Sequence, residues 1–137
     1  MIAFQQEAIF LDRARLLARL GFGGMMIPHG YSKMMDALGP GEIAFADPIG
    51  LGPEFSLFLT IFAELLCALF VVIGFKTRWA SVPPIITMMV AAFVIHGNDP
   101  WNKKEFAMLF LVGFFLTFLM DSGKYSVDQL IKNLKKK

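Results

Sequence analysis

The chain has one cysteine, two histidines and two tyrosines, and only 18% of its 137 residues are Asp, Glu, Lys or Arg. The single cysteine, Cys67, excludes an intrachain disulfide, a CxxC redox pair and a thiolate-ligated cluster built from this chain alone. A net charge of +2, with the basic residues set between apolar runs, speaks against nucleic-acid binding. A cleavable signal peptide is not expected, because the first apolar run follows the acid-bearing stretch Glu7 to Asp12 and no A-x-A site comes after it. No internal repeat is visible. What remains is hydrophobic: 56% of residues, fifteen phenylalanines and nine methionines, with a mean hydropathy of +0.60. Such a composition points to lipid as the solvent.

The apolar residues form four runs, and they predict an all-α, four-transmembrane-helix bundle in a single membrane domain covering 1–137. The expected spans are 14–31, 55–75, 79–96 and 104–121. The second reads FSLFLTIFAELLCALFVVIGF, and twenty-one helical residues span about 30 Å, the hydrocarbon thickness of a bilayer. Residues 1–13 read as an interfacial lead-in or as the first turns of the first helix. The stretch 32–53 is rich in Gly and Pro yet keeps Ile43, Phe45, Ile49 and Leu51, so it is expected to be an outer loop capping the bundle. In the tail, 125–137, Ser126 and Gln129 have capping-box spacing, and Val127, Leu130, Ile131 and Leu134 recur at helical period ahead of three lysines. This predicts a short amphipathic helix, either on an anionic membrane surface or as a solvated tail.

Four spans place both termini and the 76–78 turn on one side. That side carries nine of the thirteen basic residues, whereas the two larger loops carry only Lys33, Lys103 and Lys104. The positive-inside rule then makes both termini cytoplasmic.

Glu64 lies in the middle of the second run, where a carboxylate costs on the order of 2.5–3.5 kcal/mol. Equal depth, counted inward from His29 and Glu54, suggests Arg19 as its partner, either as the floor of a site or as a purely structural tie. Ser56, Thr60, Glu64 and Cys67 share one helix face, which must look into the bundle. Cys67 reads as packing, Thr60 as bonded to its own helix, and Met25-Met26 and Met88-Met89 as filler rather than copper ligands. No metal site is expected. Above the proposed floor, His29, Lys33, His96 and Glu105 fall on the outward side. They read either as a vestibule for a small anion or quinone headgroup, or as interfacial hydrogen-bonders and solvated loop charges.

These same positions resemble the DoxX family of small four-helix membrane proteins, over residues 19–128. The matching pieces are Arg19 with His29-Gly30 and Lys33, Glu64, Gly74-Phe75-Lys76-Thr77-Arg78, Glu105, and Gly123-Lys124-Tyr125-Ser126-Val127-Asp128. The resemblance implies a bacterial cytoplasmic (inner) membrane. It also implies a link to quinone-dependent redox chemistry: relatives are associated with a membrane thiosulfate:quinone oxidoreductase, others with partner complexes handling thiols and oxidative stress. One expectation is therefore a subunit of a quinone-linked membrane redox complex handling a small sulfur-containing or other anionic donor. Arg19, His29, Lys33, Glu64, His96 and Glu105 would form its binding residues, with no catalytic residue assigned. Quinone is the cofactor this reading brings in; lipid, a redox partner protein and an oligomer are the partners. The chain carries no flavin or iron–sulfur motif, so electrons would come from another subunit. The alternative is a non-enzymatic membrane anchor that recruits other proteins. A narrow small-molecule or proton carrier and a haem held by His29 and His96 rank below both.

Overall fold

The computed structural model describes residues 2–136; Met1 and the third terminal lysine, Lys137, lie outside them. Four long helices and one short one account for the regular structure, and the described residues contain no strand. Helix α1 runs continuously over 2–38, through a π-helical turn at Arg19–Gly23. Helix α2 is Pro53–Ile73, with a π-helical turn at Phe62–Cys67, and α3 is Thr77–Ile95, ending in a third at Ala91–Ile95. Helix α4 is Trp101–Met120 and α5 is Val127–Leu134.

Helices α2 and α3 are long and apolar enough to cross a membrane, at 21 and 19 residues with mean hydropathies of 2.5 and 1.6. Helix α4 carries Lys103-Lys104-Glu105 in its first turns, and α1 is diluted by glycines and charges at both ends. The helix α1 differs most from the expected 14–31 span. It begins twelve residues earlier in sequence, so 2–13 supplies its first turns, and it continues past Tyr31 to Leu38.

The four long helices pack as a ring, each against its neighbours in sequence, with α4 closing back on α1. Every one of them contributes to the core: Met26, Ala68 with Val71, Met88 with Ala92, and Phe110 with Phe114. Much of the core is alanine or glycine. Small residues let helices approach where lipid gives no hydrophobic drive to associate. Many large apolar side chains turn outward, Phe58, Leu69, Phe93, Leu109 and Leu116 among them, as in a protein solvated by hydrocarbon.

Two glycines set the register of α1 against α2. A Cβ on Gly30 would lie 2.6 Å from the backbone of Glu64 and Leu65, and one on Gly23 would lie 2.8 Å from Val72 Cγ2 and 3.1 Å from the Ala68 carbonyl. The helices therefore run antiparallel with backbones nearly touching beside Glu64. Helix α2 ends in a Schellman turn: Gly74 takes a left-handed φ of 74°, its N–H donates to Val71 O, and Phe75 N–H donates to Phe70 O. The Phe70 and Phe75 rings, 5.4 Å apart, add the apolar contact that accompanies this turn.

The two kinds of glycine predict opposite effects. Gly30→Ala meets rigid backbone and should lower thermal stability in detergent by about 1–3 kcal/mol. Gly24→Ala meets nothing within 4 Å and should be neutral or raise stability by up to about 1 kcal/mol. Equal melting temperatures for the two variants would contradict the register.

Candidate functional site

Glu64 sits in the π-helical turn of α2 and is almost wholly buried. Such turns are frequent at functional sites because the extra residue redirects side chains. Its partner is Lys33, not Arg19: Lys33 Nζ donates to Glu64 Oε2. Lys33 lies one turn beyond Gly30, so the close approach that Gly30 permits also delivers the ammonium to the carboxylate. The two side chains differ in exposure, 30% for Lys33 and 4% for Glu64. A buried carboxylate is thus tied to a cation that still reaches the surface.

The pair lines a cavity of about 300 Å³ between α2, α3 and the 39–52 loop. Thr60, Thr87 and His96 add polar groups, while Leu59, Ile86, Val90 and Ile95 make apolar walls. Small-molecule sites have this composition, apolar walls with a few convergent polar groups, and begin at about this volume. Leu59, Ile86 and Ile95 are also exposed on the helix surfaces, so the cavity reaches the outer face of the bundle. Within it, Thr60 Oγ1 donates to its own helix at Ser56 O, 2.8 Å away.

The loop covers this cavity with Phe45, Ala46, Pro48 and Ile49. Asp47 pins it down by accepting from Leu51 N–H and Gly52 N–H at 2.9 Å each and from Ser56 Oγ at 3.0 Å. These bonds, Gly52's foremost, hold the Asp47 carboxyl below the usual carboxylate range. The folded loop thus binds a proton less readily than the unfolded chain. Its contribution is complete above the ordinary carboxylate value and fades as pH falls through the lowered one. At the rim, His96 Nδ1 lies 2.8 Å from Asp99 Oδ2, and this bond likewise lowers the Asp99 pKa.

The other expected site residues lie elsewhere. The His29 ring meets Phe106 and Phe110 of α4 edge-on, at 5.0 and 6.2 Å between centroids. Glu105 is exposed and does not line the cavity. No group of three or more His, Cys, Asp or Glu able to hold a metal occurs among the described residues.

Arg19 corrects the expected Arg19–Glu64 pair. Its guanidinium donates to Val72 O at 3.3 Å and to Tyr125 O, at the far end of α2 and in the tail. The depth count assumed that His29 ends the first span. Because α1 runs on to Leu38, Gly30 is what opposes Glu64, and Arg19 lies roughly three turns, about 16 Å, further along. There it satisfies a carbonyl in the last turn of α2, where a cation also suits the helix dipole.

Sequence reasoning missed that Arg19 belongs to a knot joining the 74–78 turn to the tail. Asp128 N–H donates to Gly74 O at 3.1 Å. The Asp128 carboxylate accepts from Lys76 N–H at 3.0 Å and from Ser122 Oγ at 2.5 Å. Ser122 Oγ is also 3.0 Å from Thr77 Oγ1, and Ser81 Oγ is 2.8 Å from Thr117 Oγ1. Arg78 donates to Phe118 O near the end of α4 at 3.3 Å. Ser126 caps α5, accepting from Gln129 N–H at 3.2 Å, as the capping-box spacing predicts. The signal available in sequence was Gly with Thr in the turn and Gly, Ser and Asp in the tail.

Two outcomes test these assignments. Arg19→Met removes two charge-assisted bonds of about 1.5–3 kcal/mol each. It should expose 122–136 to protease, while Lys33→Met leaves that segment protected; a tail that stays protected in Arg19→Met would overturn the assignment. Asp47→Ala should speed hydrogen exchange at the Leu51 and Gly52 amides, and acidification should do the same in the unaltered protein.

No curated protein and no solved structure matches the chain. The sequence model of the DoxX family matches residues 14–97, a stretch holding Arg19, Lys33, Glu64, the 74–78 turn and His96, but not Glu105 or the tail. With more than half of its length matched, and with these residues placed as described, the chain belongs to the DoxX family.

Proposed function

We propose that this DoxX protein is a multi-pass protein of the bacterial inner membrane, crossing it four times with both termini cytoplasmic. In this reading it is the quinone-binding subunit of a membrane redox complex that handles a small anionic donor. The observation that carries the proposal is the buried Glu64–Lys33 pair at the floor of an apolar-walled cavity reaching the lipid-facing surface. A membrane-dissolved amphiphile can reach such a cavity sideways, between α2 and α3. The four-span topology is supported by the ring of four long helices, by the two that qualify alone, and by the excess of basic residues at the terminal end.

The residues present suit a quinone headgroup. Lys33 offers a hydrogen-bond donor that is free to swing, since its ammonium is partly exposed. The Glu64 carboxylate accepts from a donor or, when protonated, hands on a proton, and its dry setting strengthens either interaction. His96 with Asp99 at the rim supplies a second titratable pair between cavity and water. A bound quinone would supply two-electron chemistry, with the electrons delivered by a separate subunit.

Replacing both charges, Lys33→Met with Glu64→Leu, leaves no uncompensated buried ion, so folding should survive within about 1–2 kcal/mol. The same protein should bind a short-chain benzoquinone at least tenfold more weakly, as read by quenching of intrinsic fluorescence. Unchanged binding in a folded double variant would sink the quinone reading. A specific observation favours a second reading, a membrane anchor: the turn and tail motifs are spent on a structural knot. Gentle purification from native membranes separates the two. Co-purifying quinone supports the first reading, and a protein partner without quinone supports the second.

A further inference from the structure

A second cavity, of about 500 Å³, lies at the opposite end of the molecule, between the start of α3 and α5. Its lining includes Lys76, Arg78, Lys132 and Lys135, with Trp79 and Ile131 beside them. Two acids, Asp121 and Asp128, share the lining and are fixed by hydrogen bonds. Asp128 holds Lys76 N–H and Ser122 Oγ, and Asp121 accepts from Ser122 N–H and faces Arg78 at 3.8 Å. Lys76, Lys132 and Lys135 form no ion pair among the described residues. Four cations thus face two carboxylates around one concavity, which leaves it with an excess of positive charge.

The position of this cavity selects its ligand. Lys76 immediately precedes α3, one of the two helices that qualify to cross a bilayer, so the cavity sits where hydrocarbon gives way to water. Trp79 is 75% exposed beside it, and Leu130 and Leu134 are exposed on the adjoining face of α5. An indole at this level suits the headgroup region of a membrane, and the leucines suit acyl chains. The knot around Asp128 fixes α5 to the 74–76 turn, so the cations from both segments are held around the same space.

We propose that this cavity binds the phosphate headgroup of an anionic phospholipid, with the acyl chains running past Trp79. The assignment is independent of the function given to the Glu64 cavity.

The test uses the full chain purified in a neutral detergent and exchanged into mixed micelles containing phosphatidylglycerol or phosphatidylcholine. Lipid retained after washing and the melting temperature are measured. The unaltered protein should retain phosphatidylglycerol preferentially and melt higher with it. Each lysine near an anionic surface contributes about a fivefold factor. Lys132→Gln with Lys135→Gln should therefore lower the preference at least fivefold. Both residues are exposed and lie outside the knot, so helical content should be unchanged. Lys103→Gln with Lys104→Gln, at the other end of the molecule, should leave the preference intact. Equal retention of the two lipids by the unaltered protein would overturn the proposal, as would a preference that survives in Lys132→Gln/Lys135→Gln. Displacement of the bound lipid by millimolar inorganic phosphate alone would also overturn it, because the site would then be one for a free anion.

Discussion

The contact between Gly30 and the backbone of Glu64 and Leu65 is the constraint on which the arrangement of polar groups depends. Two helices can run with their backbones in contact only where one of them lacks a side chain. Once that point is fixed, an antiparallel pair has no remaining freedom of register. Lys33, one turn towards the loop end, reaches the Glu64 carboxylate. Arg19, roughly three turns the other way, reaches the Val72 carbonyl in the last turn of α2. One steric fact thus assigns a partner to each of the two most deeply buried charges, and it assigns different ones.

Much of the helical architecture was legible in the sequence. The apolar runs of α2 and α3 fall within two residues of the helix ends. The face Ser56, Thr60, Glu64 and Cys67 is buried or half-buried, because the helical period alone decides which residues share a side. The register between helices was not legible. It depends on where α1 ends, and the segment Tyr31 to Leu38, with Ser32, Lys33 and Asp36 among its apolar residues, reads as loop to any measure of hydropathy. Nor do the three π-helical turns have a local sequence signature, although two of them hold Arg19 and Glu64. His29 illustrates the same limit: sequence sets it level with Glu54, whereas its neighbour Gly30 abuts Glu64 and the ring turns towards α4.

The family motifs divide along physical lines. Gly74 is required twice: a left-handed turn favours it, and a Cβ there would strike both the Arg19 guanidinium and Ser126. Thr77 and Asp128 are joined through Ser122, and Arg78 braces the end of α4. These residues dock the tail on the turn, and no chemistry is needed to account for them. Lys33 and Glu64 are different, since they close no turn and cap no helix end. Cavity walls surround them instead.

That contrast extends to the two buried charges. Arg19 is 1% exposed and bound to neutral carbonyls from two distant segments, so moving it would strip both acceptors and leave a cation in a dry interior. It works as a fixed tie. The Lys33 ammonium, partly exposed, can exchange the carboxylate for water or for a ligand at the cavity rim without being stranded, because its flexible stem carries it to solvent. Glu64, only 4% exposed, cannot follow it to solvent. Among the described residues, the buried acid thus has one ionic partner, and that partner still reaches the surface. The same register that ties Arg19 into the dry interior sets Glu64 against a cation at the cavity rim.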